Sequence, residues 1–217
     1  MSWNEKYRPK KLDDIVGQED IVNYYKTLLP TGKIGNAIFR GRCGVGKTTM
    51  ARVIKEEFGV DIVPINGSKD RSLTYFREKV IPTMKVAPMR GKFRLFFIDE
   101  IESMLKEAWM VLKQPIEDYQ HINPVIFACN DAGGIPEAIY SRCKTFDFAP
   151  ITKKDMMKRL VYIVEQENVD VTDDVLNTII DKAKGDMRKA VDMLEDYSKK
   201  AVEIGKNEFE DLFVLSG

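Results

Sequence analysis

The feature that most limits what this chain can fold into is the stretch Gly41-Arg42-Cys43-Gly44-Val45-Gly46-Lys47-Thr48-Thr49. A short apolar run, Ala37-Ile38-Phe39, precedes it, and Met50, Val53, Ile54 and Phe58 recur behind it at helical spacing. Strand, GxxxxGK[ST] and helix together make the full phosphate-binding loop pattern. The glycines let backbone amides turn inward around anionic oxygens, and the helix that follows adds its positive N-terminal end. In this pattern Lys47 reaches the β- and γ-phosphates and the Thr48 hydroxyl sits on Mg²⁺. A nucleoside triphosphate is the expected ligand, cradled by the residues from Gly41 to Thr49.

Such a loop needs a sheet behind it. Strands are expected at 61–65, 93–98, 124–129 and 144–148, besides the one ahead of the loop. Helices are expected between them at 18–29, 48–58, 72–81 and 101–119, the last interrupted by Pro115, which cannot donate to the helical ladder. Residues 1–17 read as an ordered arm whose aromatic residues must pack on something. Alternating strands and helices imply a five-stranded parallel sheet with ligands at the strands' carboxyl ends. After Pro150 the strand signals stop. Residues 152–166, 172–184 and 187–202 carry helical spacing, with Thr152 and Thr172 as N-caps. The chain divides into an α/β domain, 1–150, and a small three-helix domain, 151–217.

Charge narrows the partners. The 34 basic and 34 acidic residues cancel, so bulk electrostatics do not make the whole chain a polyanion binder. Between Asn66 and Arg94, however, eight basic residues, among them Lys69, Arg71 and Arg77, face two acidic ones. A solvated face and a patch that tracks a phosphate backbone both fit that excess. Beyond Pro150 the balance is 15 acidic to 11 basic. No apolar run approaches the roughly 18 residues needed to span a membrane, and the first residues lack the apolar core of a secretory signal. Three cysteines without metal-ligand spacing suit a reducing, intracellular compartment, cytoplasmic or nuclear.

The second chemical site is Asp99-Glu100, delivered by the apolar run before it. Phosphoryl transfer to water needs charge neutralisation, a positioned water, and donors for charge growing on the γ-phosphate. An Asp at a strand end beside the loop supplies the second Mg²⁺ anchor, and the adjacent Glu can polarise the attacking water. Asn130, at the next strand tip, fits three roles: holding that water, touching the γ-phosphate, or forming a turn. From the residues alone, Arg142 reads as a charge satisfied by a helix C-terminus or an acidic neighbour, and Arg188 as an ordinary solvated helix charge.

With these residues in view, the chain resembles the small subunit of replication factor C, the clamp loader within the AAA+ ATPases. Trp3-Asn4-Glu5-Lys6-Tyr7-Arg8-Pro9 is similar to that family's N-terminal arm. Phe97-Ile98-Asp99-Glu100 is similar to its Walker B motif, Cys129-Asn130 to sensor 1, Ser141-Arg142-Cys143 to its Ser-Arg-Cys motif, and Gly185-Asp186-Met187-Arg188-Lys189 to sensor 2. The resemblance implies an AAA+ fold with a helical lid. It also implies ATP and Mg²⁺ as ligands, and an adenine pocket lined by Tyr7, Arg8, Val16 and Gly17. Glu100 and Asn130 act at the γ-phosphate, Arg188 touches ATP in cis, and Arg142 acts in trans on a neighbour's ATP. Implied partners are other loader subunits, identical or different, a sliding clamp, and primer–template DNA facing Lys69, Arg71 and Arg77.

Two departures qualify it. Paired arginines of the family's helix after Walker B are replaced by Lys113-Gln114, with Pro115 next; Lys is a point charge without the planar fork of Arg. Relatives also continue into a helical collar, whereas this sequence ends at Gly217. An ATP-gated scaffold with little turnover, and another DNA-remodelling AAA+ motor such as a helicase loader or branch-migration motor, are the rival readings.

Overall fold

Val125–Cys129 is buried along its whole length, so both faces of this strand, β4, must be covered. It pairs in parallel with β1 (Ala37–Arg40) and β3 (Arg94–Asp99). β5 (Lys144–Asp147) flanks β1, and β2 (Asp61–Asn66) flanks β3, giving the order β2-β3-β4-β1-β5. The computed structural model describes residues 1–204 except Arg71, Arg90, Ala132 and Gly133, and only the backbone of 201–204. The readings placed on Arg71 and on residues 205–217 lie outside the described residues.

Side-chain alternation sends the sheet's apolar residues to two opposite cores. Phe39, Phe97 and Ile126 meet Tyr25 of α2 (Glu19–Leu28) and Met50 and Ile54 of α3 (Lys47–Phe58). Ile38, Phe96 and Phe127 meet the opposite layer. There α4 (Leu73–Tyr75) widens into a π-helical turn, Phe76–Val80, before α5 (Ile81–Met84). The sequence predicts one regular helix over this stretch. Pro82 lacks the N–H that would bond the Glu78 carbonyl, and a wide turn just ahead of it relieves that mismatch.

α6 (Lys106–Asp118) completes this layer with Trp109, Leu112 and Ile116. Here the structure corrects the sequence reading twice. The helix runs through Pro115 without restarting, and its end is held by Tyr119 N–H on the Pro115 carbonyl, 3.0 Å. The break falls earlier, where Ile101–Ser103 forms a separate 3₁₀ turn and Met104 and Leu105 are extended. Buried Asn36 locks the layer to the sheet: its amide donates to Ile116 O (3.0 Å) and accepts from Val125 N (2.9 Å).

The short α7 (Glu137–Tyr140) leads into β5. Beyond it, α8 (Lys153–Glu167), α9 (Asp173–Ala183) and α10 (Met187–Ile204) enclose a third core around Leu160, Ile179, Leu194 and Tyr197. Thr152 caps α8 by accepting from Asp155 N at 3.2 Å. Thr172 does not cap α9 through its side chain, although its backbone is extended. The arm, with α1 (Trp3–Lys6), lays Trp3, Tyr7 and Val16 on this third core.

Candidate nucleotide site

The phosphate loop joins β1 to α3 at the carboxyl edge of the sheet. Gly44 (φ 74°) and Gly46 (φ 103°) hold left-handed backbone that other residues rarely adopt. The Asp186 carboxylate lies over Gly44 and would have to move for a Cβ there. Lys47 is the first residue of α3 and is buried. Its ammonium donates to Gly41 O (2.5 Å) and Arg42 O (2.9 Å), with Asn130 Oδ1 at 3.5 Å. Burial pushes its pKa down, while Asp99 opposes the shift. A charged group kept short of water in this way gains strongly from an incoming phosphate.

Thr48 Oγ1 donates to Asp99 Oδ2 at 3.0 Å. A hydroxyl beside a carboxylate is a hard-oxygen donor set, which suits Mg²⁺ held through few protein ligands. Asp99 is the last residue of β3, and its other oxygen accepts from Glu100 N at 3.0 Å. Glu100 takes a left-handed backbone, φ 55°, a strained conformation that clusters at functional sites. Close packing holds it there, since a Cβ on Gly67 would approach Glu100 O to 2.8 Å. The turn then returns Glu102 to β4, where Asn130 Nδ2 donates to Glu102 Oε1 at 2.8 Å.

The cleft beside the loop is closed by the arm and by the helices after Pro150. Tyr7, Arg8 and Val16 line it with Cys43–Thr49, Asp99, Glu100, Asn130 and Arg188. Arg188 Nη1 lies 3.9 Å from Cys43 Sγ, and Met187 N donates to Gly44 O at 3.1 Å. Asn4 Nδ2 reaches Arg188 O (3.2 Å) and Asp192 (2.6 Å), tying the arm to α10. Arg8 pairs with Glu5 at 2.8 Å, and its guanidinium pKa is lowered by burial first and by Arg52 next.

Not every expected residue lines the cleft. Gly41 and Arg42 are outside its lining, as carbonyl partners of Lys47, and so is Gly17, where a Cβ would meet Ile151. Arg142 lies elsewhere, with Nε and Nη2 on Glu117 (2.8 and 2.7 Å) and Nη1 on Ala138 O (2.7 Å). Lys69 and Arg77 are exposed. The basic segment as a whole is split, because Lys92 lies against Gly32 and Arg94 donates to Thr83 O.

Several cleft residues escape the sequence reading. Gln18 donates to Val45 O (3.3 Å) and Ala149 O (2.7 Å) and accepts from Ala149 N (3.2 Å), joining the loop to the segment just before Pro150. Arg159 reaches across from α8 to the Tyr7 carbonyl. Glu102 is hidden by its place in an expected helix. A break between Ile101 and Lys106 is marked by no proline or glycine, so these residues carried no usable signal.

A parallel sheet with this loop, an acidic strand end and an amide at the neighbouring tip defines a P-loop nucleoside triphosphatase. Residues 37–150 match the ATPase family associated with various cellular activities (AAA), and residues 158–198 match the RCF1/5-like AAA+ ATPase lid domain. The replication factor C small subunit of Methanothermobacter thermautotrophicus is 35% identical over 97% of this chain and 67% of its own length. That of Picrophilus torridus is 32% identical over 99% of this chain and 73% of its own, and for that of Archaeoglobus fulgidus the chain spans 62% of the relative. The chain therefore belongs to the AAA ATPases, as an ATP hydrolase of the replication factor C small-subunit family. Its fold matches the Thermotoga maritima RuvB Holliday junction branch migration motor with a TM-score of 0.81 at 22% identity, over 97% of this chain and 71% of that one. At that identity the likeness is one of fold alone. Among the described residues, no helix is long and apolar enough to cross a membrane.

Proposed function

We propose that this chain is an ATPase subunit of a sliding-clamp loader, binding MgATP and hydrolysing it as the clamp is placed on primer–template DNA. The observation that carries the chemistry is the meeting of Lys47, Thr48 and Asp99 at one strand edge, with Thr48 Oγ1 3.0 Å from Asp99. Lys47 holds the β- and γ-phosphates, and Thr48 and Asp99 hold Mg²⁺, which neutralises phosphate charge when bound. Glu100 polarises the attacking water and Asn130 lies at the γ-phosphate. Tyr7, Arg8 and Val16 surround the base, and Arg188 links the helices after Pro150, acting as a lid, to nucleotide in cis.

Arg142 completes the site of a neighbouring subunit. Its absence from its own cleft supports that reading. A finger supplied in trans is typically worth about 10³–10⁵ in rate, so turnover becomes conditional on assembly. Lys69, Arg71 and Arg77 face the phosphate backbone of DNA; exposure of Lys69 and Arg77 supports this. The names of the relatives support the loader assignment. Glu100→Gln tests the chemistry: nucleotide binding, followed with a fluorescent ATP analogue, should persist while hydrolysis is lost. Hydrolysis at the wild-type rate in that variant contradicts the assignment.

A further inference from the structure

We infer that Glu102 is a positioning residue for hydrolysis: it fixes the amide of Asn130 so that its carbonyl oxygen, not its NH₂, faces the phosphate side of the cleft. The inference rests on the proposed role of Asn130 and adds a residue that neither motif nor resemblance singles out. An asparagine amide presents an acceptor on one side and donors on the other, and which side faces a ligand is set by its partners. Here Asn130 Nδ2 donates to Glu102 Oε1 at 2.8 Å, and the Asn130 backbone N–H points at the same oxygen at 3.4 Å. The opposite edge, Oδ1, faces the Lys47 ammonium at 3.5 Å. Reversing the amide would set its oxygen against a carboxylate and its NH₂ against an ammonium, two repulsive contacts in place of two attractive ones.

The orientation selects between the roles open to Asn130. With Oδ1 forward, the side chain accepts a hydrogen bond from a water beside the γ-phosphate, and its NH₂ is occupied by Glu102. Glu102 owes its position to the turn after β3. Left-handed Glu100 and the 3₁₀ turn Ile101–Ser103 send the chain back toward the end of β4, instead of straight into α6. The same turn thus presents Glu100 and, two residues later, the group that aims Asn130.

Because the task of Glu102 is to accept a hydrogen bond, glutamine can perform it and alanine cannot. In steady-state hydrolysis, Glu102→Ala should lower kcat by roughly 10–100-fold, the range for groups that orient a reacting side chain from behind, while nucleotide affinity stays close to wild type. Glu102→Gln should restore most of the lost kcat. Asn130→Ala and Glu102→Ala/Asn130→Ala should be equally slow, since the two residues act as one unit. Equal loss in Glu102→Gln and Glu102→Ala would show that the charge itself acts, and additive losses in the double variant would show independent roles; either overturns the inference. Wild-type turnover in Asn130→Ala would instead remove the role of Asn130 on which the inference stands, and the inference with it.

Discussion

Lys47 and the cysteines show how far local environment sets chemistry in this chain. Lys47 spends its protons on the carbonyls of its own loop. A phosphate that replaced those partners would bring a full charge into the same space, so in the proposed site the side chain contributes strongly to nucleotide affinity. The thiols divide into two covered ones and one exposed one. Burial pushes Cys129 up to about 11 and Cys143 up to about 12, from an ordinary 9.0, whereas Cys43 is exposed in the phosphate loop. The thiolate is the reactive form. Alkylation at pH 8, read by mass spectrometry, should therefore modify Cys43 first and be slowed there by bound nucleotide. The sign of the linked stability follows. Below pH 9 both thiols are protonated in the folded and unfolded chain alike. Above it the unfolded chain ionises first, so stability is lost as pH climbs through the folded values. Faster labelling of Cys143 than of Cys43 in the folded protein would contradict this ordering.

Among the elements, the strands are written most plainly in the sequence. β3 and β4 are continuous apolar runs because both their faces are covered, and Asp99 and Asn130 mark where cover ends and the cleft begins. The phosphate loop is equally legible, since its glycines answer a local backbone demand at Gly44 and Gly46. What is not legible depends on contacts far apart in sequence. Gln18 finds its partners 27 and 131 residues away, and Arg159 reaches the Tyr7 carbonyl 152 residues back. Pro115 misled because a proline's cost is local, while the packing of Trp109, Leu112 and Ile116 holds the helix through it. The arm is a further long-range element, held to the lid by Lys6–Glu167 (2.8 Å) and by Trp3 N on Glu195 (2.8 Å). Lys6 chiefly lowers the Glu167 pKa, and Lys199, then the Trp3 amide, lower that of Glu195. Depressed carboxylates stabilise above the ordinary value near 4.5 and lose that effect as pH falls through their lowered values. In a Trp109→Phe background, Trp3 fluorescence should be steady above pH 5 and shift on acidification below about 4.5. A transition centred near neutrality would contradict the attachment described.

At the scale of the whole molecule, the cleft is walled by three parts of the chain that meet only on folding: the sheet edge, the arm, and the helices after Pro150. Nucleotide bound between them would connect the phosphate loop to α10, through Gly44, Met187 and Arg188. The arginine proposed to act in trans stays outside this arrangement. Arg142 is held on Glu117 and Ala138, away from its own cleft, and in the proposed assembly it serves the next subunit. Catalysis in the proposed assembly is therefore a property of pairs of chains. The most direct measurement is ATP turnover in an equimolar mixture of Lys47→Ala, which keeps its finger but loses its own site, and Arg142→Ala, which keeps its site but loses its finger. Each variant alone should be nearly inactive, and the mixture should recover turnover, increasingly so as protein concentration rises. A mixture no more active than its separate components, at concentrations where the wild type turns over, would contradict it.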